Sequence, residues 1–396
     1  MTTSKLFTKD FILVMFFGFF LFISMNALTT VLPTHITNVL DDPVIGGMTT
    51  TVFMFAAILT RPLVGYFIQK VNINILNTVS ILLFAVLIFA LQFTTIIPIV
   101  MTLRALQGVL FGILSTTVAT LATSIVPANR RGEGVGIYGA SQSTGGALAP
   151  VIGLPLLQNF SYQTFITAVS VAAFIGFIVS LLTKKPEKKV EEVTADPTEK
   201  VSFWDYAFDK RALLPCAIVL FVSFPLGGVN TFMGPLAAEV GLSEHVSLFF
   251  LAQAIFNLVF KTNAGKIMDN HGHLVVVYPA IGLGILGFLI LTRLNSLPLF
   301  ILSGALIGAA IGSLSIVFQT LALNSLSDDK HATANAMYFS FMDFGIAISA
   351  SILGMVANAF NFKAVFVVAA ISLVLMFIVY FSTLGKIKAQ EKVTES

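Results

Sequence analysis

Between Glu133 and Lys184 the chain runs for 50 residues without a formal charge, and this run limits the possible folds more than any other feature. A bilayer core about 30 Å thick is crossed by roughly 20 apolar residues in helical form. The run therefore holds two crossings joined by a short turn. Comparable gaps recur. Asp10–Asp41 encloses 30 uncharged residues, Asp42–Arg61 18, Arg211–Glu239 27, Asp269–Arg293 23 and Lys363–Lys386 22. Only 10% of the 396 residues are charged and 57% are apolar. Soluble domains carry about 25% charge, so this chain cannot furnish a water-facing surface, and its mean hydropathy of +0.94 agrees.

The turns between these runs predict twelve transmembrane helices, near 11–37, 46–69, 75–96, 98–125, 135–158 and 163–183, then 212–238, 245–268, 274–293, 298–325, 333–358 and 362–384. The fold class is all-α integral membrane; barrel strands would be about 10 residues long and alternate in polarity. Orientation follows from Lys and Arg placement. With both termini inside, 19 of the 22 basic residues fall in cytoplasmic segments or at cytoplasmic helix ends, and only Arg104, Arg293 and Lys363 lie elsewhere. Asp41, Asp42, Glu239 and Glu244 mark the outer loops. The first apolar stretch exceeds the 7–15 residues of a signal core and reads as a true first helix. A multi-pass protein of the cell membrane with cytoplasmic termini is expected.

Several function classes drop out. Cys216 is the single cysteine, so no disulfide framework or multi-cysteine zinc site can form. The five histidines show no metal-ligand spacing, and no nucleophile–base pair is recognisable. No metal, no cofactor and no enzymatic activity are expected. A net charge of +3 gives no footprint for nucleic acid. Residues 184–211, half of them charged, read as a solvated linker between an N-terminal six-helix bundle (1–183) and a C-terminal one (212–384), with 385–396 as a tail.

The two halves align at a shift of 200 residues. Pro98 falls on Pro298, Gly108 on Gly308, Gly112 on Gly312, Tyr138 on Tyr338 and Gly145 on Gly345. Arg61 falls on Lys261, each followed by a glycine, Gly65 or Gly265. Shared Leu and Ala mean little in apolar helices, but Gly, Pro and basic residues in register across four helices indicate a duplicated six-helix unit. Parallel repeats of this type commonly place a substrate site at the repeat interface near the midplane and alternate its access.

At these residues the chain resembles the major facilitator superfamily along nearly its whole length. The loop after helix two, with Gly65 and Lys70, is similar to the family's G-x-x-x-D-R-x-G-R pattern, with Gln69 at the Asp position. The second-half copy carries Gly265, Asp269 and Gly272. The resemblance implies that these loops, with Arg61 and Lys261 near them, gate the transporter. Arg104-Ala105-Leu106-Gln107-Gly108 is similar to the family's R-x-x-Q-G pattern. Gly145, Ala149, Pro150 and Gly153 resemble the helix-five pattern of antiporters, which is associated with exporters, chiefly drug–proton antiporters. A fold of two pseudo-symmetric six-helix bundles, usually working as a monomer in the lipid bilayer, is implied.

Two charges stand out on cost alone. An arginine at the bilayer centre costs roughly 2.5–3.5 kcal/mol on insertion scales, so Arg104 in helix four needs a reason. Proton-coupling control and attraction of an anionic substrate group are both open, as is packing against helix-end carbonyls. Asp343 is the one acidic residue well inside a span. A desolvated carboxylate is easier to protonate, which makes it a candidate proton carrier; hydrogen bonding at a helix seam is the alternative. Amides within spans often act only as interhelical glue. Asn26, Gln107, Asn230 and Gln319, on helices that line a central cavity in the resembled fold, are the substrate candidates. The expected function is proton-coupled export of small drug-like or amphipathic molecules by alternating access. A transporter of one polar metabolite, such as a sugar or metal chelator, and a non-transporting sensor or lipid-handling protein are the competing readings.

Overall fold

The computed structural model describes residues 6–40, 43–183 and 207–383; the linker read at 184–211 lies outside them up to residue 206, and so does the tail from 384. Twelve long helices make up the described chain, with no strand among the described residues. They are α1 (Lys9–Leu40), α2 (Pro43–Lys70), α3 (Ile73–Ala90), α4 (Ile97–Ile125), α5 (Arg131–Asn159) and α6 (Tyr162–Leu182), then α7 (Lys210–Glu239), α8 (Val246–His271), α9 (Leu274–Thr292), α10 (Leu297–Asn324), α11 (His331–Ala359) and α12 (Phe362–Ser382). Ten spans among the described residues are long and apolar enough to cross a membrane. Seven glycines and several polar residues hold α5 below that hydropathy, and the apolar part of α2 is the shorter stretch Met48–Val64.

The described residues fall into two compact units. The first takes the described residues within Met1–Ala128, Ser141–Lys210 and Leu326–Met337; the second takes those within Asn129–Ala140, Arg211–Ser325 and Tyr338–Ser396. In the first unit five helices close a ring, with α1 on α2, α2 on α4, α4 on α3, α3 on α6 and α6 on α1. From Ser141 onward α5 lies along α1, where the Ser141 hydroxyl donates to the Met15 carbonyl at 3.0 Å. In the second unit α10 packs on both α8 and α9, and α9 packs on α12. The Ser372 hydroxyl of α12 reaches the Phe221 carbonyl of α7 at 3.0 Å.

The 200-residue repeat is visible element by element. α5 and α11 begin and end 200 residues apart, as do α6 and α12. The short 3-10 turns Ala128–Arg130 and Asp328–Lys330 keep the same offset. α6 and α12 are capped alike: Ser161 Oγ accepts from the Thr164 N–H at 3.1 Å and Asn361 Oδ1 from the Ala364 N–H at 2.9 Å, each satisfying an amide that the helix cannot.

The duplicated glycines are packing residues. A Cβ at Gly108 would collide with the Phe53 carbonyl, and one at Gly308 with the Gln253 carbonyl. At Gly112 and Gly312 it would lie 2.8 Å from the Ala57 and 2.6 Å from the Asn257 carbonyl oxygen. Within each unit, two turns of one helix backbone therefore rest directly on a neighbour, α4 on α2 and α10 on α8. Close approach of this kind drives helix association where lipid removes the hydrophobic incentive.

Candidate functional site

Arg104, the eighth residue of α4, is 0% exposed. Its Nε–H donates to the Thr49 carbonyl of α2 at 3.1 Å, and Nη1 donates to Gln107 Oε1 at 3.0 Å. Gln107 passes the connection on, its Nε2 donating to the Leu87 carbonyl of α3 at 3.0 Å. The guanidinium carbon lies 4.3 Å from the centroid of Phe53, a cation–π contact that desolvation strengthens. The two residues picked from the R-x-x-Q-G stretch are thus one cluster that ties α2, α3 and α4 together. Position 304, in register with Arg104, is a glycine whose Cβ would lie 2.6 Å from the Phe249 carbonyl. The charge belongs to the first copy of the repeat alone.

Residues of the second-unit loop copy, Gly265 and Asp269 among them, meet the start of α5. The Asp269 carboxylate accepts from two backbone amides, Gly132 N–H at 2.9 Å and Glu133 N–H at 2.8 Å. An anion at a helix N-terminus satisfies orphan amides and sits at the positive end of the helix dipole. Gly132 and Gly265 make this possible, because a Cβ at Gly265 would fall on the Gly132 carbonyl and one at Gly132 would be 2.6 Å from Asp269 Oδ1. Gly272 ends α8 at φ +83° with its N–H on the Met268 carbonyl at 2.8 Å. Arg130 pairs with Glu133 at 2.7 Å, and Arg131 Nη1 donates to Asn324 Oδ1 at 2.8 Å. Lys261 runs across Gly139 of α5, its Nζ 3.2 Å from where a Cβ would be.

In the first unit Arg61 is 2% exposed, with its guanidinium carbon 6.0 Å from the Phe111 centroid. Gly65 and Lys70 lie on α2 at positions whose surroundings fall outside the described residues, as does Pro150 on α5. The rest of the helix-five pattern contacts α1: a Cβ at Gly145 would be 2.8 Å from the Phe19 carbonyl, and one at Gly153 2.9 Å from Val31 Cγ2. Ala149 is buried. A Cβ at Gly345 would lie at the same 2.8 Å from the Leu220 carbonyl of α7, so Gly145 and Gly345 perform the same packing task in their two copies.

Asp343 is half-buried on α11, within electrostatic reach of Tyr338, whose hydroxyl donates to the Ser315 carbonyl at 2.9 Å. Asn26 turns its amide back to the Phe22 carbonyl at 2.8 Å and lies beside Gly146. Gln319 is buried on α10, and Asn230 is exposed on α7. Arg104, Gln107 and Asn26 belong to one unit, Asp343, Asn230 and Gln319 to the other.

Two buried polar pairs escaped the sequence reading. Asn77 and Thr117 are joined by a hydrogen bond between α3 and α4, and His273 meets the Tyr380 hydroxyl at 2.5 Å. A signal for the first existed: positions 277 and 317 are both valine, so a polar pair appears where the repeat breaks.

Comparison with known proteins agrees with this geometry. The sequence profile described as Major Facilitator Superfamily matches residues 14–251 and 216–395. Multidrug resistance protein MdtG of Enterobacter lignolyticus is 23% identical over 332 residues, covering 80% of this chain and 77% of that protein. Riboflavin transporter RibZ of Clostridioides difficile is 23% identical over 303 residues, covering 75% of this chain and 63% of its own length. Among solved structures, the human organic anion transporter MFSD10 (TETRAN) superposes with a TM-score of 0.79 at 15% identity, over 93% of this chain and 98% of that one. Twelve helices in a 200-residue repeat, glycines in register at the helix contacts and a profile match over nearly the whole length lead to one assignment: the chain belongs to the major facilitator superfamily.

Proposed function

We propose that this transporter exports small drug-like or amphipathic molecules from the cell, driven by protons moving inward. Asp343 carries the proton, and the positive charge of Arg104 contributes to coupling. The observation that carries the reading is the pair of costly charges held inside apolar helices, Arg104 buried in the first unit and Asp343 half-buried in the second. The likeness to proteins named for multidrug resistance favours export. The protein works in the cell membrane with both termini cytoplasmic, as two six-helix bundles (1–183 and 212–384) joined by the linker at 184–211. Its substrate site opens to one side at a time, with Asn26, Gln107, Asn230 and Gln319 offering amide contacts. The Asp269 bond to the start of α5 breaks and re-forms with each cycle. A transporter of one specific metabolite is the second reading, favoured by the similarity to a protein named as a riboflavin transporter.

Cells expressing the chain should accumulate less of at least one dye or antibiotic in a broad panel than cells with an empty vector. In proteoliposomes, adding that compound should drive proton flux, and Asp343→Asn should abolish it. Unchanged accumulation across the panel with the protein present at the surface would remove the export reading. Undiminished flux in Asp343→Asn would remove the carboxylate from the mechanism. A growth phenotype confined to one metabolite would replace the first reading with the second.

A further inference from the structure

The bias of Lys and Arg leaves three basic residues, Arg104, Arg293 and Lys363, away from the segments assigned to the cytoplasm. Arg104 is held by its buried cluster; the other two lie at the surface of the second unit. Arg293 is exposed at the C-cap of α9. Lys363 is half-exposed as the second residue of α12, where the positive end of the helix dipole disfavours a cation. Neither side chain has an ion-pair or hydrogen-bond partner among the described residues. α9 and α12 pack on each other in opposite directions. Tyr278 meets Tyr380 and Phe377 at 6.3 and 6.0 Å between ring centroids, and farther along α9 a Cβ at Gly284 would lie 2.6 Å from Leu373 Cδ1. Arg293 is 15 residues after Tyr278, and Lys363 is 14 before Phe377. Each therefore stands about four turns, roughly 14.4 residues, from the same ring contact and near the same side of its helix. At 1.5 Å per residue they lie about 22.5 and 21 Å along the seam, level with each other.

The same two positions end exposed apolar stripes. On α9 the exposed side chains Val275, Leu286 and Leu289 recur at helical spacing, and Arg293 follows Leu289 by four residues. On α12 Ile378, Ile371 and Val367 lead back to Lys363, again by four. Two cations thus cap one apolar strip. In the first copy of the repeat the corresponding positions are Phe93 and Gln163, so the repeat breaks at both places together, neutral in one copy and basic in the other.

We infer that this end of the α9–α12 seam binds one anionic phospholipid, its phosphate between Arg293 and Lys363 and its acyl chains along the apolar strip. Charge and placement select the class. Two cations with no carboxylate beside them suit a phosphate, which arginine takes through paired donors. The strip below them suits acyl chains, and a soluble phosphate would leave it unused. A basic group at the membrane surface favours an anionic lipid by about fivefold, and two by about 25-fold. The site requires only that the chain crosses a bilayer, and it stands apart from proton-driven export.

Site-directed fluorescence quenching in the full-length protein tests it. In a Cys216→Ser background, Phe360→Cys puts a bimane label three residues before Lys363, at a position 76% exposed in the native protein. Phe160→Cys, the same position in the first copy, is the reference. Each labelled protein is placed in phosphatidylcholine nanodiscs with a trace of phosphatidylglycerol or of phosphatidylcholine, either one bearing a nitroxide on its acyl chain near the headgroup. The nitroxide phosphatidylglycerol should quench the label at 360 by about twofold or more over the nitroxide phosphatidylcholine, while the two should quench the label at 160 equally. Arg293→Gln with Lys363→Gln should abolish the excess. The exchange Arg293→Lys with Lys363→Arg keeps both charges and should retain it, and unchanged quenching at 160 reports that the variants are folded. Equal quenching by the two lipids at 360, an equal excess at both labels, or an excess that survives loss of both charges overturns the inference.

Discussion

At the scale of single residues, the same chemical change has opposite consequences at two glycines. Gly308 has no room for a side chain, because its Cβ would strike the Gln253 carbonyl of α8. Backbone cannot yield as a side-chain end can, and overpacking of this kind costs about 1–3 kcal/mol. Gly282, on α9, has nothing within 4 Å of a Cβ, and replacing glycine by alanine inside a helix is worth about 1 kcal/mol. Gly308→Ala is therefore expected to lower the melting temperature of the purified protein, and Gly282→Ala to raise it or leave it unchanged. Fluorescence-monitored melting of both variants in one detergent checks the contrast, and equal shifts would dissociate the repeated glycines from packing. Arg104 shows where sequence reading ran out at this scale. Its cost in a membrane was legible from the residue type, and Gln107 was marked beside it. Thr49, Phe53 and Leu87, which hold the pair, lie on two other helices, and no local pattern points to them.

Among the helices, the contact that most needs explaining is the start of α5. The sequence places that helix at 135, after the charged stretch, and α11 at 333; they begin at Arg131 and His331. The charge-gap rule starts a helix at its first apolar residue. Here the first turn of α5 is charged, and its amides are satisfied by Asp269, 137 positions away from Gly132. A cap supplied by a distant segment leaves no local trace. Similarly α3, read to 96, ends at Ala90 and gives way to the 3-10 turn Leu91–Phe93, because residues apolar throughout conceal where a helix tightens. Asp269→Ala removes the acceptor for two amides, and losing a side-chain cap costs roughly 0.5–2 kcal/mol. Hydrogen exchange at Gly132 and Glu133 should accelerate by about 2–30-fold, since every 1.4 kcal/mol is a factor of ten. Asp269→Asn keeps one acceptor oxygen and should fall between. Exchange unchanged in Asp269→Ala would mean that the helix start is held by other groups, leaving Asp269 no part in gating.

For the molecule as a whole, the number of crossings and the side on which they begin are fixed by different properties. Twelve helices follow from run length, which is why nearly every span was legible before any coordinate. Sidedness follows from the basic residues, which are retained on the cytoplasmic side when they flank a span closely. Arg130, Arg131, Lys184, Lys185, Lys210 and Arg211 flank spans on the side assigned to the cytoplasm, while the acidic Asp41, Asp42, Glu239 and Glu244 flank spans on the other. An even number of crossings puts the two termini and the 184–211 segment on the same side. Single-cysteine labelling in a Cys216→Ser background measures this directly. Cysteines placed at Thr194 and Thr394 should react with an impermeant maleimide only after the cells are opened, whereas one at Asp42 should react in intact cells. Labelling at Thr194 from outside would reverse or break the arrangement of the halves, and with it the direction assigned to transport. Moving the bias should move the outcome: Arg130→Gln with Arg131→Gln weakens retention of one inner loop, but ten or more other basic residues flank the remaining inner ends, so topology should hold while the Arg130–Glu133 and Arg131–Asn324 contacts are lost. A full inversion in that double variant would show that the fold's sidedness rests on one loop instead of on the summed charge of the chain.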